Sequence, residues 1–357
     1  MGNTIGKNFR VTSFGESHGQ AMGVVVDGMP AGVKLLQEDI QKDLNRRRPG
    51  ASAFSSPRKE PDTAIILSGI TSDGLTNGAP IAIVIHNVDK KSSDYQEIQN
   101  KFRPGHADWT YFLKYGLKPQ PGGGRASGRE TVSRVAAGAV ARALLAPIGL
   151  SVRSGTERIG KISANIVDYE YSENDPLRFL DPQFSPLAQK EVQDAMEAGD
   201  SVGGVVRLIC TGVPTGLGEP VFGKLEALLG GAFFSIGAVR AVELGEGIEL
   251  STMRGSVAND PIGPDGPTGN LHNGILGGIS TGRPISARLF VRPTPSIAIS
   301  QKTVDLSLEK TVIETHGRHD PCIAPRLAPV AEAMALIVLA DCFLEGVHIS
   351  SRLSFTL

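Results

Sequence analysis

Short apolar runs, separated by glycine, proline and polar residues, recur along the chain and predict strands. Such runs, bounded by turn-forming residues, are typical of strands buried in a sheet. The predicted strands are residues 23–26, 64–67, 81–86, 205–210 and 285–291.

Longer stretches with apolar residues at helical spacing predict helices over residues 37–46, 130–145, about 220–229 and 325–344. Ser127 and Glu130 form an S-x-x-E capping box before the second of these helices. The last is apolar nearly all round, which predicts burial between layers.

The organisation of the chain indicates a single α+β domain over residues 1–357, because no linker interrupts it. We expect its sheets to be sandwiched by helices. The stretch 163–194 is polar, lacks glycine and predicts a surface excursion.

One arrangement occurs twice, which suggests an internal duplication. Residues 23–46 and 205–229 each contain a predicted strand with two valines, a turn of the form G-[MV]-P-[AT]-G and a predicted helix. Chance similarity between two glycine-proline turns is the alternative explanation.

The charge of the chain is balanced, with 36 basic and 37 acidic side chains, which argues against a bulk nucleic-acid binder. The three cysteines lie far apart and form no C-x-x-C pair, so we expect a reducing compartment and no structural zinc. The first residues lack the apolar core of a signal peptide, and the run 333–340 is too short to span a bilayer. These features predict a soluble cytoplasmic protein.

Common catalytic fingerprints are absent or out of place. The chain has no G-x-G-x-x-G, no P-loop and no H-E-x-x-H. The pattern G-x-S-x-G occurs at 15–19 and 278–282, but neither copy has the strand before it and the helix after it that a nucleophile elbow needs.

Arginine and histidine instead gather beside glycine turns. Arginine-rich segments occur at 46–50 and 122–130, and arginine and histidine flank a proline-glycine turn at 103–108. A further cluster at 316–321 combines two histidines, an arginine and an aspartate. A solvated helix end, structural histidines and simple capping by Ser127 are the alternatives for individual clusters.

Together these clusters favour one concave site for a small polyanion. Guanidinium groups suit bidentate contacts with carboxylate and phosphate, and a helix N-terminus attracts anions as well. Histidine and aspartate are available there for proton transfer. Charge and periodicity leave the identity of the polyanion open.

Seven motifs together resemble the chorismate synthase family, in the order of that family and over nearly the whole chain. They are GESHG (15–19), RRRPG (46–50), FRPGHAD (102–108), GGGRASGRET (122–131), GVPTGLGEPVF (212–222), NGILGGISTG (273–282) and GRHDPC (317–322).

The resemblance implies a carbon-oxygen lyase that converts 5-enolpyruvylshikimate 3-phosphate to chorismate by anti-1,4-elimination of phosphate and a C6 proton. It implies reduced FMN (FMNH2) as cofactor, although the reaction has no net redox change, and an external flavin reductase as its source. It also implies the last common step towards the aromatic amino acids, a homotetramer, and a β-α-β-α sandwich with internal pseudo-symmetry.

The resemblance also implies roles for individual residues. His18 would donate a proton to the leaving phosphate, His106 would stabilise the reduced flavin, and Asp320 would accept the final proton. The substrate-binding residues would be Arg47, Arg103, Ser127, Arg129 and Arg318. The flavin-binding residues would be Arg125, Ala126, Ser127, Gly237, Ala238, Gly277, Arg292, Pro293, Thr294, Pro295, Ser296 and Arg318.

Some positions depart from the family pattern. Ala53 stands where many relatives have a basic residue, and Arg58 or Lys59 would have to replace it. Arg240 and Arg292 stand where lysine is common. The alternative functions are an NADPH-dependent flavin oxidoreductase, since some relatives reduce flavin with NADPH, or another phosphosugar-binding enzyme.

Overall fold

Two five-stranded antiparallel sheets enclose the long helices of the chain. The computed structural model describes residues 2–50, 54, 60–88, 100–119, 121–264, 266–315 and 319–352. The strands are β1 (Thr4–Ile5), β2 (Arg10–Gly15), β3 (Ala21–Asp27), β4 (Ala64–Ile66), β5 (Ile81–His86), β6 (Ser151–Ile159), β7 (Ile162–Ser163), β8 (Gly204–Thr211), β9 (Val239–Leu244), β10 (Ile262–Gly263), β11 (Gly266–Pro267), β12 (Ile275–Leu276), β13 (Ile279–Ser280), β14 (Ile285–Val291), β15 (Gln301–Val304) and β16 (Lys310–Ile313).

The helices connect and cover these strands. They are α1 (Gln37–Arg47), α2 (Asp108–Tyr115), α3 (Thr131–Leu145), α4 (Tyr169–Ser172), α5 (Ser185–Glu197), α6 (Leu225–Phe234), α7 (Gly247–Leu250), α8 (Gly255–Ala258) and α9 (Ala324–Arg352). Short 3-10 helices occupy Pro121–Ala126, Gly128–Glu130 and Ala146–Ile148.

The layers follow one another as sheet, helix, helix, sheet. Helix α3 packs on β2 and β3, α9 packs on β6 and β8, and the two helices pack against each other. The predicted α+β fold class is therefore confirmed, whereas the expectation that helices sandwich the sheets is wrong, because the helices lie between the two sheets. The physical reason is that α9 is buried on nearly every side from Leu327 to Leu344, so it needs cover on both faces.

The topology repeats, which supports the predicted internal duplication. The first sheet has the order β1-β2-β3-β5-β4 and the second has the order β7-β6-β8-β14-β9. Apart from the short edge strands β1 and β7 and the insertions, two strands of the sheet precede a helix in both halves, two more strands follow, and a long helix ends the unit. Strands β2, β3, β4 and β5 thus correspond to β6, β8, β9 and β14, while α1 and α3 correspond to α6 and α9.

Most predicted elements are confirmed, and two are corrected. Helix α6 begins at Leu225, because Gly218 has a positive φ and the Glu219 N–H bonds the carbonyl of Gly223 to close a turn first. The stretch 163–194 is only partly a surface excursion, since Phe179 and Leu180 are fully buried.

Two helical stretches, Gly128–Ile148 and Ala324–Gly346, are long and apolar enough to cross a membrane by length and composition. The run 333–340, which is itself too short to span a bilayer, lies within the second of these stretches. In this fold they are packed between the two sheets, and 89% of the most apolar window of the second is buried.

Candidate active site

A cavity of about 990 Å³ lies where the two halves of the molecule meet. Its walls come from the end of α1, the start of α2, the glycine turn before α3, and segments after α6 and β14. Among the described residues, eight arginines line it: Arg47, Arg103, Arg125, Arg129, Arg134, Arg240, Arg292 and Arg326. The carboxylates that line it are Glu60, Asp108, Glu130 and Asp320. The described wall therefore carries an excess of positive charge.

A buried carboxylate holds two of these arginines side by side. Asp62 is fully buried, and each of its oxygens accepts a hydrogen bond from a different guanidinium: Arg47 Nη2 on Oδ2, and Arg129 Nη1 at 2.6 Å on Oδ1. Arg47 Nε and Arg129 Nη2 are buried and form no hydrogen bond with the described residues, although Arg129 Nη2 lies 3.5 Å from the Glu60 carboxylate in an ion pair. These donors are suited to an anion in the cavity.

Burial and charge act against each other in this cluster. Burial opposes the charged form of Asp62, but the attraction of Arg47 and Arg129 outweighs it and keeps the pKa of the carboxyl below its usual value. Burial is also the largest influence on Arg47, and with the repulsion of Arg326 and Arg129 it outweighs Asp62 and lowers the pKa of Arg47 to about 10. Both groups are charged at neutral pH.

The segment before α2 places an arginine and a histidine at the cavity. Arg103 donates to both oxygens of Asp108, from Nε at 2.8 Å and from Nη2 at 2.7 Å, and this pair fixes the guanidinium. His106 Nε2 lies 2.7 Å from Ser296 Oγ. Burial, then the charge of Arg103, lowers the pKa of His106 to about 3, so the imidazole is neutral at physiological pH.

The turn between β2 and β3 places His18 directly behind the glycine turn 122–124. A Cβ on Gly122 would lie 2.4 Å from His18 Nδ1, so only glycine allows this approach. His18 itself has a φ of 66°, a region in which histidine is tolerated better than most residues. His18 Nδ1 also lies 3.0 Å from Ser17 Oγ. Strand β3 follows this turn and strand β14 follows the second G-x-S-x-G, so neither copy is a nucleophile elbow.

The predicted flavin-binding positions lie mainly on the remaining walls. Ser127 Oγ accepts from the Arg129 N–H at 3.4 Å and begins the 3-10 turn before α3. Arg125 Nη2 bonds Ser13 Oγ at 2.7 Å, and Arg292 Nη2 bonds the carbonyl of Gly105. Ala238 has a φ of 74°, and its carbonyl accepts from the Arg292 N–H.

Asp320 lines the cavity shortly before α9 begins, where it pairs with an arginine that the motifs did not single out. Arg326 Nη1 donates to Asp320 Oδ2, and Arg326 Nε donates to the carbonyl of Arg47 at 3.3 Å. Arg326 therefore joins the predicted proton acceptor to the end of α1.

Most residues that the sequence nominates meet at this cavity. These are Arg47, Arg103, His106, Arg125, Ala126, Ser127, Arg129, Gly237, Ala238, Arg292, Thr294, Pro295, Ser296 and Asp320. His18 lies behind Gly122, and Gly277 and Pro293 do not line the cavity. Arg318, Ala53, Arg58 and Lys59 lie outside the described residues.

Sequence reasoning missed Asp62, Asn87, Arg134 and Arg326. Arg326 had a recognisable signal, a charged residue in the first turn of an otherwise apolar helix. Asp62 and Asn87 had none, because each lies just outside a short strand beside other polar residues and belongs to no motif. Within the described ranges, no three His, Cys, Asp or Glu side chains are grouped so as to hold a metal ion.

Comparisons with known proteins agree with the motifs. The family model described as chorismate synthase matches residues 9–344. A curated chorismate synthase of Nitratidesulfovibrio vulgaris is 51% identical over 346 residues, covering 96% of this chain and 98% of that protein. One of Methanothermobacter thermautotrophicus is 49% identical over 350 residues, covering 95% and 93%.

A solved structure described as a crystal structure of chorismate synthase matches with a TM-score of 0.76 and 30% identity. The match covers 96% of this chain and 93% of that one. The fold is thus shared over nearly the full length with the solved structure, and about half of the residues are identical in the curated relatives. The chain belongs to the chorismate synthase family.

Proposed function

We propose that this protein converts 5-enolpyruvylshikimate 3-phosphate to chorismate and phosphate, as a carbon-oxygen lyase that requires reduced FMN. In this anti-1,4-elimination two bonds break: the C6–H bond and the bond between the ring carbon and the phosphate oxygen. The electrons of the C–H bond become part of the new diene, and the phosphate leaves with the electrons of the C–O bond. The observation that carries the proposal is the convergence of arginines from distant segments on one cavity. Two carboxylates and a phosphate on one ring acid match such a wall.

The cavity also fits a flavin beside that ring acid. Its volume of about 990 Å³ is at the upper end for ligand sites, and the buried Arg47 Nε forms no hydrogen bond with the described residues. Arg125, Ala126 and Ser127 would hold FMN on one side, and Gly237, Ala238 and residues 292–296 on the other. Gly277, Pro293 and Arg318 remain part of the proposed flavin contacts. Reduced FMN, when bound, would lend an electron as the phosphate departs and recover one as the C6 hydrogen leaves, so that the reaction has no net redox change.

The side chains of this chain would do the binding and the proton transfers. Arg47, Arg103 and Arg129 would hold the anionic groups, with Ser127 and Arg318. His18 would give a proton to the departing phosphate oxygen. Neutral His106 would offer a hydrogen bond to the flavin while Ser296 holds its ring, and the Asp320 carboxylate would receive the proton that leaves C6.

The test is an anaerobic assay of the purified protein with FMN, dithionite and 5-enolpyruvylshikimate 3-phosphate. Chorismate absorbance should appear, and it should not appear when NADPH replaces dithionite. Turnover with NADPH alone would favour the NADPH-dependent alternative, and no chorismate under either condition would contradict the proposal.

Further parts of the proposal concern organisation and location. We propose a single domain over residues 1–357, because α3 and α9 join the two halves through direct packing. We also propose a homotetramer in the cytoplasm, supplied with FMNH2 by a separate flavin reductase and serving aromatic amino acid biosynthesis.

A further inference from the structure

A buried amide at the end of β5 connects two parts of the site that lie far apart in sequence. Asn87 is 7% exposed and does not line the cavity. Its Nδ2 donates to the carbonyls of Glu16 and Gly19, each at 3.0 Å, and its Oδ1 accepts from Arg129 Nε at 2.7 Å. One side chain thus holds both ends of the turn that carries His18 and also one guanidinium of the cavity wall.

Only an amide satisfies this arrangement. The primary amide has two N–H donors on one atom and an acceptor on the other, and all three functions are used here. A carboxylate would still accept from Arg129, but it would place an acceptor against two carbonyl oxygens. An apolar side chain would leave all three buried groups without this partner.

Other hydrogen bonds also restrain the turn, among them one from the Asn87 backbone N–H to the Gln20 carbonyl at 3.1 Å. The Gly19 N–H bonds the Glu16 carbonyl at 3.0 Å, and the Ser17 N–H reaches the Gly124 carbonyl at a longer 3.4 Å. His18 stands in the left-handed region, so the turn needs outside contacts to hold that conformation. The Asn87 amide supplies two of them from the neighbouring strand.

We propose that Asn87 is a positioning residue, which fixes the turn 16–19 so that His18 stays in place relative to Arg129. This inference rests on the proposed role of His18 in the reaction. Because a displacement of about 1 Å can cost about 100-fold in rate, loss of the turn contacts should lower kcat more than it changes KM.

Asn87→Asp is the variant that separates the two contacts, since it keeps the acceptor for Arg129 and loses the donors to the turn. We expect kcat to fall by about 10- to 100-fold with KM nearly unchanged. Asn273→Asp is the matched control. Asn273 is equally buried, and its Nδ2 donates to the Ser286 carbonyl while its Oδ1 accepts from the Ser286 N–H, away from the cavity. An equal fall in kcat for both variants would overturn the inference.

A double-mutant cycle tests whether Asn87 acts through His18. In a His18→Ala background, Asn87→Asp should lower kcat by less than about threefold, because the group that it positions is gone. If the double variant loses kcat by the full product of the two single-variant losses, Asn87 does not act through His18 and the proposal is wrong. If the aspartate variant does not fold, Asn87→Ser replaces it, because serine removes the amide without adding charge. This variant should also raise KM, because it loses the acceptor for Arg129 Nε.

Hydrogen exchange provides a readout that does not depend on the reaction. In the ligand-free protein, Asn87→Asp should speed amide exchange across residues 16–19, and Asn273→Asp should leave it unchanged. Unchanged exchange in the turn would refute the positioning role, whereas an inactive wild-type protein would refute the proposed function alone.

Discussion

The two halves of the molecule share a topology and differ in chemistry at corresponding places. Helix α1 ends in Arg47, which is 1% exposed and charged, whereas the corresponding helix α6 ends in Phe234, which is 55% exposed. Both residues line the same cavity. The first half therefore supplies a cationic wall at a position where the second supplies an aromatic side chain.

The connections that follow β5 and β14 make a second instructive pair. The first carries Arg103 and His106, and the second carries Arg292, Ser296 and Asp320. They meet in the cavity, where His106 Nε2 lies 2.7 Å from Ser296 Oγ. A repeated topology thus brings equivalent segments together, and their sequences decide which groups each contributes.

The largest effect should come from the two histidines of the first half. We expect His18→Ala and His106→Ala to slow turnover by about 10- to 10⁴-fold, because each would remove a group that holds or moves a proton. Steady-state kinetics under anaerobic conditions measures this, with circular dichroism to establish that the fold survives. Unaltered turnover in both variants would remove them from the chemistry.

The next largest effect is expected for stability, from substitutions at the corresponding ends of α1 and α6. Arg47→Ala would leave the fully buried Asp62 carboxylate with one guanidinium fewer, so the free energy of unfolding should fall by about 3–5 kcal/mol. Phe234→Ala, at the exposed corresponding end, should change it by about 0.5 kcal/mol or less. Urea unfolding checks both values, and the KM for substrate should rise for Arg47→Ala. Equal losses of stability would contradict the difference between the halves.

Asp320 tests the contribution of the second half. Asp320→Asn keeps the shape of the side chain but removes the charge that faces Arg326, so turnover should fall by about 100-fold while FMN binding stays near normal. Fluorescence titration with FMN measures the binding. A parallel loss of flavin binding and turnover would point to a structural role.

His106, which contacts Ser296 of the other connection, predicts that the free energy of unfolding depends on pH. The pKa of His106 is about 3 in the folded chain, below its usual 6.5, so the unfolded chain binds more protons between these values. Stability should therefore fall as the pH drops below about 6.5, by up to about 1.4 kcal/mol per pH unit. His106→Gln should flatten the dependence of unfolding free energy between about pH 6.5 and 4.5, and the exposed His86→Gln serves as control. A wild-type slope in His106→Gln would contradict this.

The smallest effect should come from helix α5. It belongs to the long segment between β7 and β8, which takes the place that the short β2–β3 turn has in the first half. Lys190 and Asp194 form an exposed pair at 2.8 Å on α5. Lys190→Ala should lower the free energy of unfolding by only about 0.3–0.5 kcal/mol, because water and salt screen such pairs. Urea unfolding measures this change, and a loss of stability as large as that of Arg47→Ala would contradict the prediction.

Local patterns along the chain determined much of this protein by themselves. The predicted strands 81–86 and 285–291 match β5 and β14 in full, because alternation along a strand depends only on near neighbours in the chain. The seven motifs identified the family, and the gathering of arginine and histidine beside glycine turns indicated a site for a polyanion.

Tertiary structure alone decided how those pieces combine. Asp62 between Arg47 and Arg129, Asn87 against the His18 turn, and Arg326 on the carbonyl of Arg47 join residues that come from different elements and carry no common motif. The layer order likewise depended on α9 needing cover on both faces. Such contacts arise from the packing of distant segments, which a periodic pattern along the chain does not encode.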